Sequence, residues 1–316
     1  MASRHRGRFA PSPTGPLHLG NAWAALLGWL WARSLGGEFA LRIEDLDADR
    51  CRAEYVDVLR RDLDWLGLTF DGPVVFQSER AEVYQAALER LSGLGRVYRC
   101  FCTRAEVARA ATAPHGAAED GPVYPGTCAS LSLAEVRARS RNRTPAVRFR
   151  VAPGEVRFVD GVHGTAGQNV EAAVGDFVVC RNDGVASYQL AVVVDDADAG
   201  VTHVLRGDDL LASTPRQIQL ARALGLPLPT FAHVPLLMGP DGKRLAKRGG
   251  PPTLSELREA RQPPERLLGL LAGWAGLTDG RAVSAAELVE GFSLERLGRA
   301  PRVVDAACVR DALQGH

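Results

Sequence analysis

A helix that is apolar on nearly every face most constrains how this chain can fold. Residues 19–35 are predicted to form it, because the run is dense in leucine, alanine and tryptophan and stops at Gly36-Gly37. A helix without a polar face must be buried. A strand (8–12) ending in the turn PSPTGP precedes it, and a strand (39–43) and an amphipathic helix (54–66) follow. Alternating strands and helices predict a doubly wound α/β sheet.

The composition excludes several classes of protein. Of 316 residues, 46% are hydrophobic and 24% charged, which excludes disordered, collagen-like and disulfide-stapled chains. A formal charge of +1 does not by itself indicate a nucleic-acid partner. The longest apolar stretch, 22–32, is shorter than the roughly 20 residues of a membrane span. Because the first residues lack the apolar core of a signal peptide, we expect a cytoplasmic protein.

The alternation of strands and helices breaks near Arg96. Residues 100–144 contain closely spaced cysteines, a loop rich in Ala, Pro, Gly and His, and an Arg-rich helix that begins with a Ser132/Glu135 capping box. This stretch indicates an insertion. Beyond it, a strand (176–180), the turn Asn182-Asp183-Gly184 and a return strand (186–194) predict a β-hairpin.

The later part of the chain contains strong helix signals. Thr214 as N-cap, proline at N1 and glutamine at N3 predict a helix that ends at Gly225. Capping boxes at Thr253/Glu256 and Ser284/Glu287 predict further helices. We therefore divide the chain into a catalytic domain (1–95 and 175–250), an inserted subdomain (96–174) and a helical C-terminal domain (251–316).

Two segments have the chemistry to bind a nucleoside triphosphate. In Pro16-Leu17-His18-Leu19-Gly20-Asn21 a turn leads into a helix N-terminus, whose free N–H groups and dipole attract anions. Gly20 lets a flat ligand approach the backbone, and His18 can donate to a phosphate. Taken alone, an ordinary strand-to-helix turn is the better interpretation of this segment.

The second segment is a basic loop, Gly242-Lys243-Arg244-Leu245-Ala246-Lys247-Arg248. Its four cations suit a polyphosphate, and a flexible lysine can follow the charge that develops as pyrophosphate leaves. The alternative for this loop is a solvated basic segment without a ligand.

Together the two segments resemble the HIGH and KMSKS signatures of the class I aminoacyl-tRNA synthetases, in the expected order. Further segments are similar to the glutamyl-tRNA synthetase subgroup: Arg8-Phe9-Ala10-Pro11-Ser12-Pro13-Thr14-Gly15, Leu41-Arg42-Ile43-Glu44-Asp45, Thr202-His203-Val204-Leu205-Arg206-Gly207-Asp208-Asp209 with Thr214-Pro215-Arg216-Gln217, and His233-Val234-Pro235-Leu236-Leu237 with Asp241-Gly242-Lys243. The resemblance covers residues 6–255. It implies the class I fold, a Rossmann-type doubly wound parallel sheet with an inserted zinc-binding subdomain, and ATP-dependent activation of glutamate.

The resemblance also implies a glutamate site. Arg8 and Arg206 can form charge-assisted bonds with carboxylates. Glu44 can hold the substrate ammonium, while hydroxyl groups add neutral hydrogen bonds. The implied glutamate-binding set is Arg8, Phe9, Ala10, Pro11, Ser12, Glu44, Tyr188 and Arg206. The alternative is a buried Arg8–Glu44 ion pair that only holds two strands together.

By the same resemblance, ATP is bound with Mg²⁺, and the α-carboxylate of glutamate attacks its α-phosphate to give glutamyl-adenylate and pyrophosphate. In-line positioning and charge stabilisation carry such a reaction, so no protein nucleophile is required. The implied catalytic residues are His18 and Lys247. The implied ATP-binding residues are His18, Gly20, Lys243, Arg244 and Lys247.

Three positions depart from the general signatures. Asn21 replaces the second histidine of the first, although the glutamyl subgroup varies there. Arg244 replaces the first lysine of the second signature and keeps its charge. Ala246 replaces a serine and removes a hydroxyl that could contact phosphate.

Three of the six cysteines form the pattern C-x-C…Y-x-x-x-C. Three thiolates at this spacing can converge on zinc. His115 is the chemically more typical fourth ligand, but the pattern resembles the inserted domain of the glutamyl-Q tRNA(Asp) synthetase family, which favours tyrosine. The implied ligands of one structural Zn²⁺ are Cys100, Cys102, Tyr124 and Cys128. The alternative is buried or redox-active cysteines without metal.

Arginines cluster after the cysteine pattern, at Arg137, Arg139, Arg141, Arg143, Arg148 and Arg150. They could contact tRNA phosphates, or form a solvated basic face. Only about 66 residues follow Gly250, too few for the anticodon-reading region of a full glutamyl-tRNA synthetase. The family that attaches glutamate to the queuosine base of tRNA(Asp), and activates glutamate without tRNA, fits better; we expect a monomer.

Two alternatives stay open. One is a truncated glutamyl-tRNA synthetase that charges a tRNA 3′ end. The other is a non-catalytic paralogue that binds tRNA. The presence of Arg8, His18, Glu44, Arg206 and Lys247 disfavours the non-catalytic alternative.

Overall fold

The computed structural model describes residues 5–110, 122–243, 245 and 251–314. The predicted site residues Arg244 and Lys247, and the alternative ligand His115, lie outside these ranges. The strands are β1 (Arg6–Phe9), β2 (Glu38–Ile43), β3 (Val75–Phe76), β4 (Val97–Cys100), β5 (Ala146–Phe149), β6 (Glu155–Asp160), β7 (Gly164–Asn169), β8 (Phe177–Cys180), β9 (His203–Gly207), β10 (Thr230–Val234), β11 (Leu237–Met238) and β12 (Arg302–Val303).

The α-helices are α1 (Leu19–Ser34), α2 (Ala53–Trp65), α3 (Ala81–Gly93), α4 (Arg104–Ala110), α5 (Leu133–Ser140), α6 (Val170–Ala173), α7 (Tyr188–Asp198), α8 (Thr214–Ala223), α9 (Leu254–Glu259), α10 (Pro264–Trp274) and α11 (Ala306–Gln314). Among the described residues, no helix has the length and apolar character to cross a membrane.

Parallel strands form the centre of the fold. β1 pairs with β2 and β2 with β3, while β9 and β6 flank β10, all in parallel. The Thr202 N–H donates to the Arg6 carbonyl at 2.9 Å and links the start of β9 to β1. The spatial order of the strands is therefore β3-β2-β1-β9-β10. The chain winds outward to one side from β1 and to the other side from β9, so the order of connection reverses between these two strands. Doubly wound sheets bind ligands at such a switch point, beyond the carboxyl ends of the strands.

The apolar helix α1 is buried as its composition requires. Trp23, Trp29 and Trp31 are each less than 10% exposed, and the Trp23 indole N–H donates to the Pro235 carbonyl at 3.0 Å. A side chain at Gly28 would meet the Phe39 ring at 3.2 Å, so glycine lets α1 approach β2 closely. Helix α1 is thus buried at the centre of the packing against the parallel sheet.

The predicted hairpin after residue 176 is wrong in its second half. β8 and the turn at Gly184 form as expected, but the return segment makes one bridge, Cys180 to Ala186, and then becomes helix α7. Leu190 and Val194 recur at helical spacing and are buried on α7, which packs against α3 and α8. This burial outweighs the preference of consecutive valines for a strand.

Two predicted helix starts also differ from the structure. The backbone at Thr214 is already helical, because a 3₁₀ turn over 208–213 leads into α8, so Ser213 is the N-cap and the predicted Thr214 cap is wrong. Ser284 and Glu287 do form their reciprocal hydrogen bonds, but residues 285–290 adopt turns. The predicted helix is therefore wrong, because these reciprocal bonds close a turn without the following backbone becoming helical. The boxes at Ser132 and Thr253 cap α5 and α9 as predicted.

A second sheet is antiparallel, with the order β4-β5-β8. β4 ends at Cys100, so this sheet supports the cysteine cluster. The hairpin β6-β7 is also antiparallel, but β6 pairs with β10 of the parallel sheet. The class is mixed α/β with a parallel sheet, as predicted, and the division into three domains stays a prediction.

Candidate active site and metal centre

Arg8 and Glu44 lie at the ends of the neighbouring strands β1 and β2, but they do not pair directly. The Arg8 guanidinium faces both oxygens of Asp196 on α7, with Nε and Nη2 at 3.2 and 3.4 Å. Arg42 then bridges Asp196, at 2.5 Å, to Glu44, at 3.1 Å. The alternative of a simple Arg8–Glu44 pair is therefore wrong, because Asp196 and Arg42 stand between them.

A second aspartate extends this buried network. The Asp195 carboxylate accepts hydrogen bonds from Gln77, Arg80 and Tyr84 at 2.7–3.0 Å, and Arg42 Nε lies 3.7 Å away. Arg8 and Arg42 hold the pKa of Asp196 below its usual value, although burial opposes them. Burial raises the pKa of Glu44, and Arg42 offsets this only in part. The network fixes Arg8 and keeps Glu44 receptive to a further cation.

Arg206 on β9 is a buried cation with neutral partners. Its Nε donates to His233 at 3.0 Å, and its Nη2 donates to Thr214 and Gln217, both at 2.8 Å. Nη1 has a long contact to the Tyr188 hydroxyl at 3.4 Å. Arg206 is buried, with only 6% of the residue exposed. Yet throughout the described part of the chain no carboxylate forms a salt bridge with it.

The lack of a salt bridge is visible in the electrostatics of Arg206. Burial lowers the pKa of its guanidinium, and Tyr188 and the charge of Asp196 offset this only in part, while the charge of Arg8 adds to it. Burial raises the pKa of Tyr188, and Arg206, Arg8 and Glu44 all lie close enough to influence it. The four side chains therefore meet in one place. An uncompensated buried charge is unfavourable, so this place is arranged for an anion.

The other predicted glutamate residues line the same strand end. Phe9 and Pro11 are buried, and the Pro11 carbonyl accepts the Glu44 N–H at 3.0 Å, which ties the turn after β1 to the end of β2. Ala10 is half-buried and Ser12 is exposed. The structure therefore does not bury Ser12 with the charged residues of the site.

The first nucleotide segment caps α1. His18 is the N-cap: its Nδ1 accepts the Gly20 N–H at 3.1 Å, and Asn21 accepts the His18 N–H at 3.1 Å. A neutral His18 ring therefore carries its proton on Nε2. A Cβ at Gly20 would come within 3.0 Å of this ring, so glycine is required for the ring's position. Asn21, which departs from the general signature, completes the cap.

Of the basic loop, Lys243 and Leu245 fall within the described ranges. Lys243 is exposed, and its N–H donates to Asp241 at 3.1 Å. The prediction for Arg244 and Lys247 is unchanged, because both lie outside the described residues.

The sulfur atoms of Cys100, Cys102 and Cys128 lie within 4.8 Å of one another. The Tyr124 hydroxyl is 3.4 Å from the Cys100 sulfur and accepts the Cys128 N–H at 2.9 Å. Zinc bonds to sulfur of about 2.3 Å in a tetrahedron separate the sulfurs by about 3.8 Å. The 3.6 Å between Cys102 and Cys128 is compatible with this separation. The residues present fit a metal ion.

Arg148 is half-buried and lies against the cysteine cluster. Its Nε donates to the Cys100 sulfur at 3.2 Å, and its guanidinium lies 3.7 Å from the centre of the Tyr124 ring. Arg150 likewise turns inward, onto the Ala129 carbonyl at 2.7 Å. The predicted basic face is therefore wrong for these two residues, while Arg137, Arg139, Arg141 and Arg143 are exposed.

Comparison with known proteins identifies the family. The profile described as tRNA synthetases class I (E and Q), catalytic domain, matches residues 5–311. A protein of Symbiobacterium thermophilum named glutamyl-Q tRNA(Asp) synthetase is 52% identical to the chain, over 98% of each. The chain belongs to the glutamyl-Q tRNA(Asp) synthetase family of class I tRNA synthetases. It is an enzyme of the ligase class, as the motifs predicted.

Proteins outside the glutamyl-Q family are also similar. A glutamate–tRNA ligase of Nitratidesulfovibrio vulgaris strain DP4 is 44% identical, over 92% of this chain and 61% of its own. The crystal structure of a glutamate tRNA ligase from Elizabethkingia meningosepticum in complex with its amino acid matches with a TM-score of 0.84 and 29% identity, over 98% of this chain and 68% of that one. Both agree with the class I fold.

Sequence reasoning missed several residues of the network beneath the site in this glutamyl-Q family member. Arg42 and His233 stood in the quoted motifs without a role, and Asp160, Asp195 and Asp196 were not considered. Asp195 and Asp196 follow three consecutive valines. Two acids directly after a segment expected to be buried are the signal that could have pointed to them.

Proposed function

We propose that this enzyme activates L-glutamate with ATP, without tRNA, and transfers the glutamyl group to the queuosine base of tRNA(Asp). The observation that carries the proposal is Arg206, a buried guanidinium whose described partners are all neutral. A substrate carboxylate supplies the missing charge. The names and 48–52% identity of glutamyl-Q relatives support the choice of reaction.

The chemistry of activation indicates which carboxylate meets Arg206. When the α-carboxylate attacks ATP, it forms a bond to the α-phosphorus, the bond to the bridging oxygen breaks, and pyrophosphate leaves. The reacting group thereby loses its charge. A fixed buried cation is better matched to the side-chain carboxylate, which stays charged throughout. We therefore assign the side-chain carboxylate to Arg206, through its Nη1.

The remaining glutamate contacts follow from charge. Arg42 contacts one oxygen of Glu44 at 3.1 Å, and we assign the substrate ammonium to the other oxygen. Arg8, whose Nε and Nη2 face Asp196, keeps Nη1 near the Leu205 carbonyl at 3.4 Å and can turn it to the substrate. Tyr188 donates a neutral hydrogen bond, and Ser12 contacts substrate as it enters.

We assign ATP to the N-terminus of α1 and the basic loop. His18 presents Nε2–H, and the α1 dipole favours phosphate. Gly20 allows close approach, and Lys243, Arg244 and Lys247 neutralise the triphosphate, with Mg²⁺ accompanying it. His18 and Lys247 stabilise charge as pyrophosphate departs. ATP and tRNA are both cytoplasmic, so the proposal includes a cytoplasmic location, and we propose a monomer.

We propose one structural zinc, held by Cys100, Cys102, Cys128 and Tyr124. When bound, it would offset two of the three thiolate charges and tie β4 to the 124–128 loop. The exposed Arg137, Arg139, Arg141 and Arg143 are proposed to contact tRNA phosphates.

Replacing Cys102 with serine tests the zinc proposal. We expect the purified variant to lose about nine-tenths of the single zinc found in the wild type, because only two thiolates remain. Elemental analysis after dialysis measures this, and Cys51→Ser, outside the cluster, is the matched control. Equal zinc in the Cys102→Ser variant and in the wild type would rule out this ligand set.

Glutamylation of tRNA(Asp) tests the acceptor. We expect glutamate to be attached to tRNA(Asp) that contains queuosine and not to the same tRNA without it, and attachment to persist after the 3′-terminal CCA of the tRNA is removed. A truncated glutamyl-tRNA synthetase, suggested by the 44% identity to a glutamate–tRNA ligase, would charge both tRNAs but neither of them without the CCA end. That second pattern would overturn the queuosine proposal.

A further inference from the structure

Behind Arg206 lies a buried pair, His233 and Asp160, that no part of the proposed chemistry uses. His233 is 0% exposed and Asp160 2%. His233 and Arg206 stand directly opposite each other on the paired strands β10 and β9, and Asp160 ends the neighbouring strand β6. Three adjacent strands therefore bring an aspartate, a histidine and an arginine into one line.

The hydrogen bonds along this line have a fixed direction. Arginine nitrogen can only donate, so His233 Nε2 must accept the Arg206 Nε–H, at 3.0 Å. His233 therefore carries its proton on Nδ1 and donates it to Asp160, at 2.6 Å. The other oxygen of Asp160 accepts three backbone N–H groups, from Val162, His163 and His233. Neither end of the line can reverse its direction.

Further contacts complete the orientation of Arg206. Gln217 donates its amide to Gln189 at 3.0 Å, which leaves its oxygen facing Arg206. With Nε directed to His233 and Nη2 to Thr214 and Gln217, the guanidinium plane cannot rotate without breaking several bonds. Nη1 is the nitrogen left to face a ligand.

We infer that Asp160 and His233 are positioning residues, which lock Arg206 so that Nη1 meets the substrate carboxylate. The inference rests on the proposed glutamate site. Asp160 fixes the tautomer of His233, and His233 in turn offers Arg206 an acceptor at the correct place. This explains a buried acid and imidazole that touch neither substrate nor metal.

Two conservative variants test the inference by glutamate-dependent ATP–pyrophosphate exchange with the full chain. Asp160→Asn keeps the shape of the side chain but replaces one accepting oxygen with an NH₂ donor. This NH₂ group must then face either the Nδ1–H of His233 or the backbone N–H groups, so that two donors oppose each other. We expect it to raise the KM for glutamate by roughly 10- to 100-fold and to change the KM for ATP by less than about twofold. His233→Gln can accept from Arg206 and donate to Asp160, so we expect a KM for glutamate within about threefold of wild type.

The controls separate this inference from the proposed function. Asp64→Asn makes the same change on the exposed face of α2 and should leave both KM values unchanged. His233→Phe removes the hydrogen bonds to Asp160 and Arg206 and the contact with Thr214, and should resemble or exceed Asp160→Asn. If Asp160→Asn raises both KM values equally, or neither, the positioning role is overturned. The proposed function would still stand if Arg206→Gln raised the KM for glutamate, and would fall if wild type showed no exchange.

Discussion

Replacing Arg206 with glutamine is expected to lower kcat/KM for glutamate in ATP–pyrophosphate exchange by about 10³-fold, which is about 4 kcal/mol. The reason is that Arg206 supplies the buried charge for the substrate carboxylate, and glutamine supplies none. The loss should appear mainly in the KM for glutamate, because the contact is present before and during the reaction. The KM for ATP should change little.

The same substitution is expected to leave the unliganded protein as stable as wild type, or more stable. Arg206 is a buried cation without a described counter-ion, and an uncompensated charge opposes folding. The charge that favours substrate binding is thus expected to lower the stability of the unliganded protein. Urea unfolding with and without glutamate measures both effects.

Arg222→Gln is the matched control for Arg206, since Arg222 is exposed on α8. It should alter neither exchange nor stability. If Arg206→Gln unfolded the protein as readily as it impaired exchange, Arg206 would be a structural residue. If it left the KM for glutamate unchanged, the glutamate site would lie elsewhere.

Replacing Arg42 with methionine is expected to lower the free energy of unfolding by about 3–5 kcal/mol at pH 7. Arg42 is 3% exposed and contacts three carboxylates, of Glu44, Asp195 and Asp196. Arg8 still compensates Asp196 and Arg80 still compensates Asp195 in the variant. Glu44 is the carboxylate that loses its salt bridge, and only the more distant charge of Arg8 still favours its ionised form.

The stability difference between Arg42→Met and the wild type should depend on pH. Burial already raises the pKa of Glu44 in the wild type, and loss of Arg42 raises it further. A carboxyl with a folded pKa above its unfolded value binds more protons when folded, so acidification favours folding. The deficit of Arg42→Met relative to wild type should therefore shrink between pH 7 and pH 5. Arg60→Met, on the exposed face of α2, is the control; an equal deficit at both pH values would contradict the assignment.

The sequence motifs indicated the candidate ligand-binding residues better than the residues that hold them in position. Arg8, Glu44 and Arg206 lie in short motifs, and the structure places Arg206 beside Tyr188, but the role of all four in binding glutamate stays a prediction. The residues that hold them in place come from distant parts of the chain: Asp160 is 73 residues from His233, and Asp196 is 188 from Arg8. A short sequence motif contains no information about contacts between residues so far apart in the chain.

Errors in secondary structure follow the same logic. Three valines favour a strand locally, yet packing against α3 and α8 makes their segment a helix. That helix carries Tyr188 and Asp196 about two turns apart, and their side chains contact Arg206 and Arg8. The predicted hairpin would have separated these two contacts. The capping boxes of α5 and α9 were predicted correctly, because the residues that form them are three apart.

The central claim is that Arg206 binds the side-chain carboxylate of the amino acid that the enzyme activates. Glutamate-dependent ATP–pyrophosphate exchange by the purified chain, without tRNA, tests this claim most directly. We predict exchange with L-glutamate and at least about 100-fold less with L-glutamine, whose neutral amide leaves Arg206 uncompensated. Exchange that is absent with L-glutamate, with or without tRNA(Asp), or that is equal with L-glutamine, would contradict it.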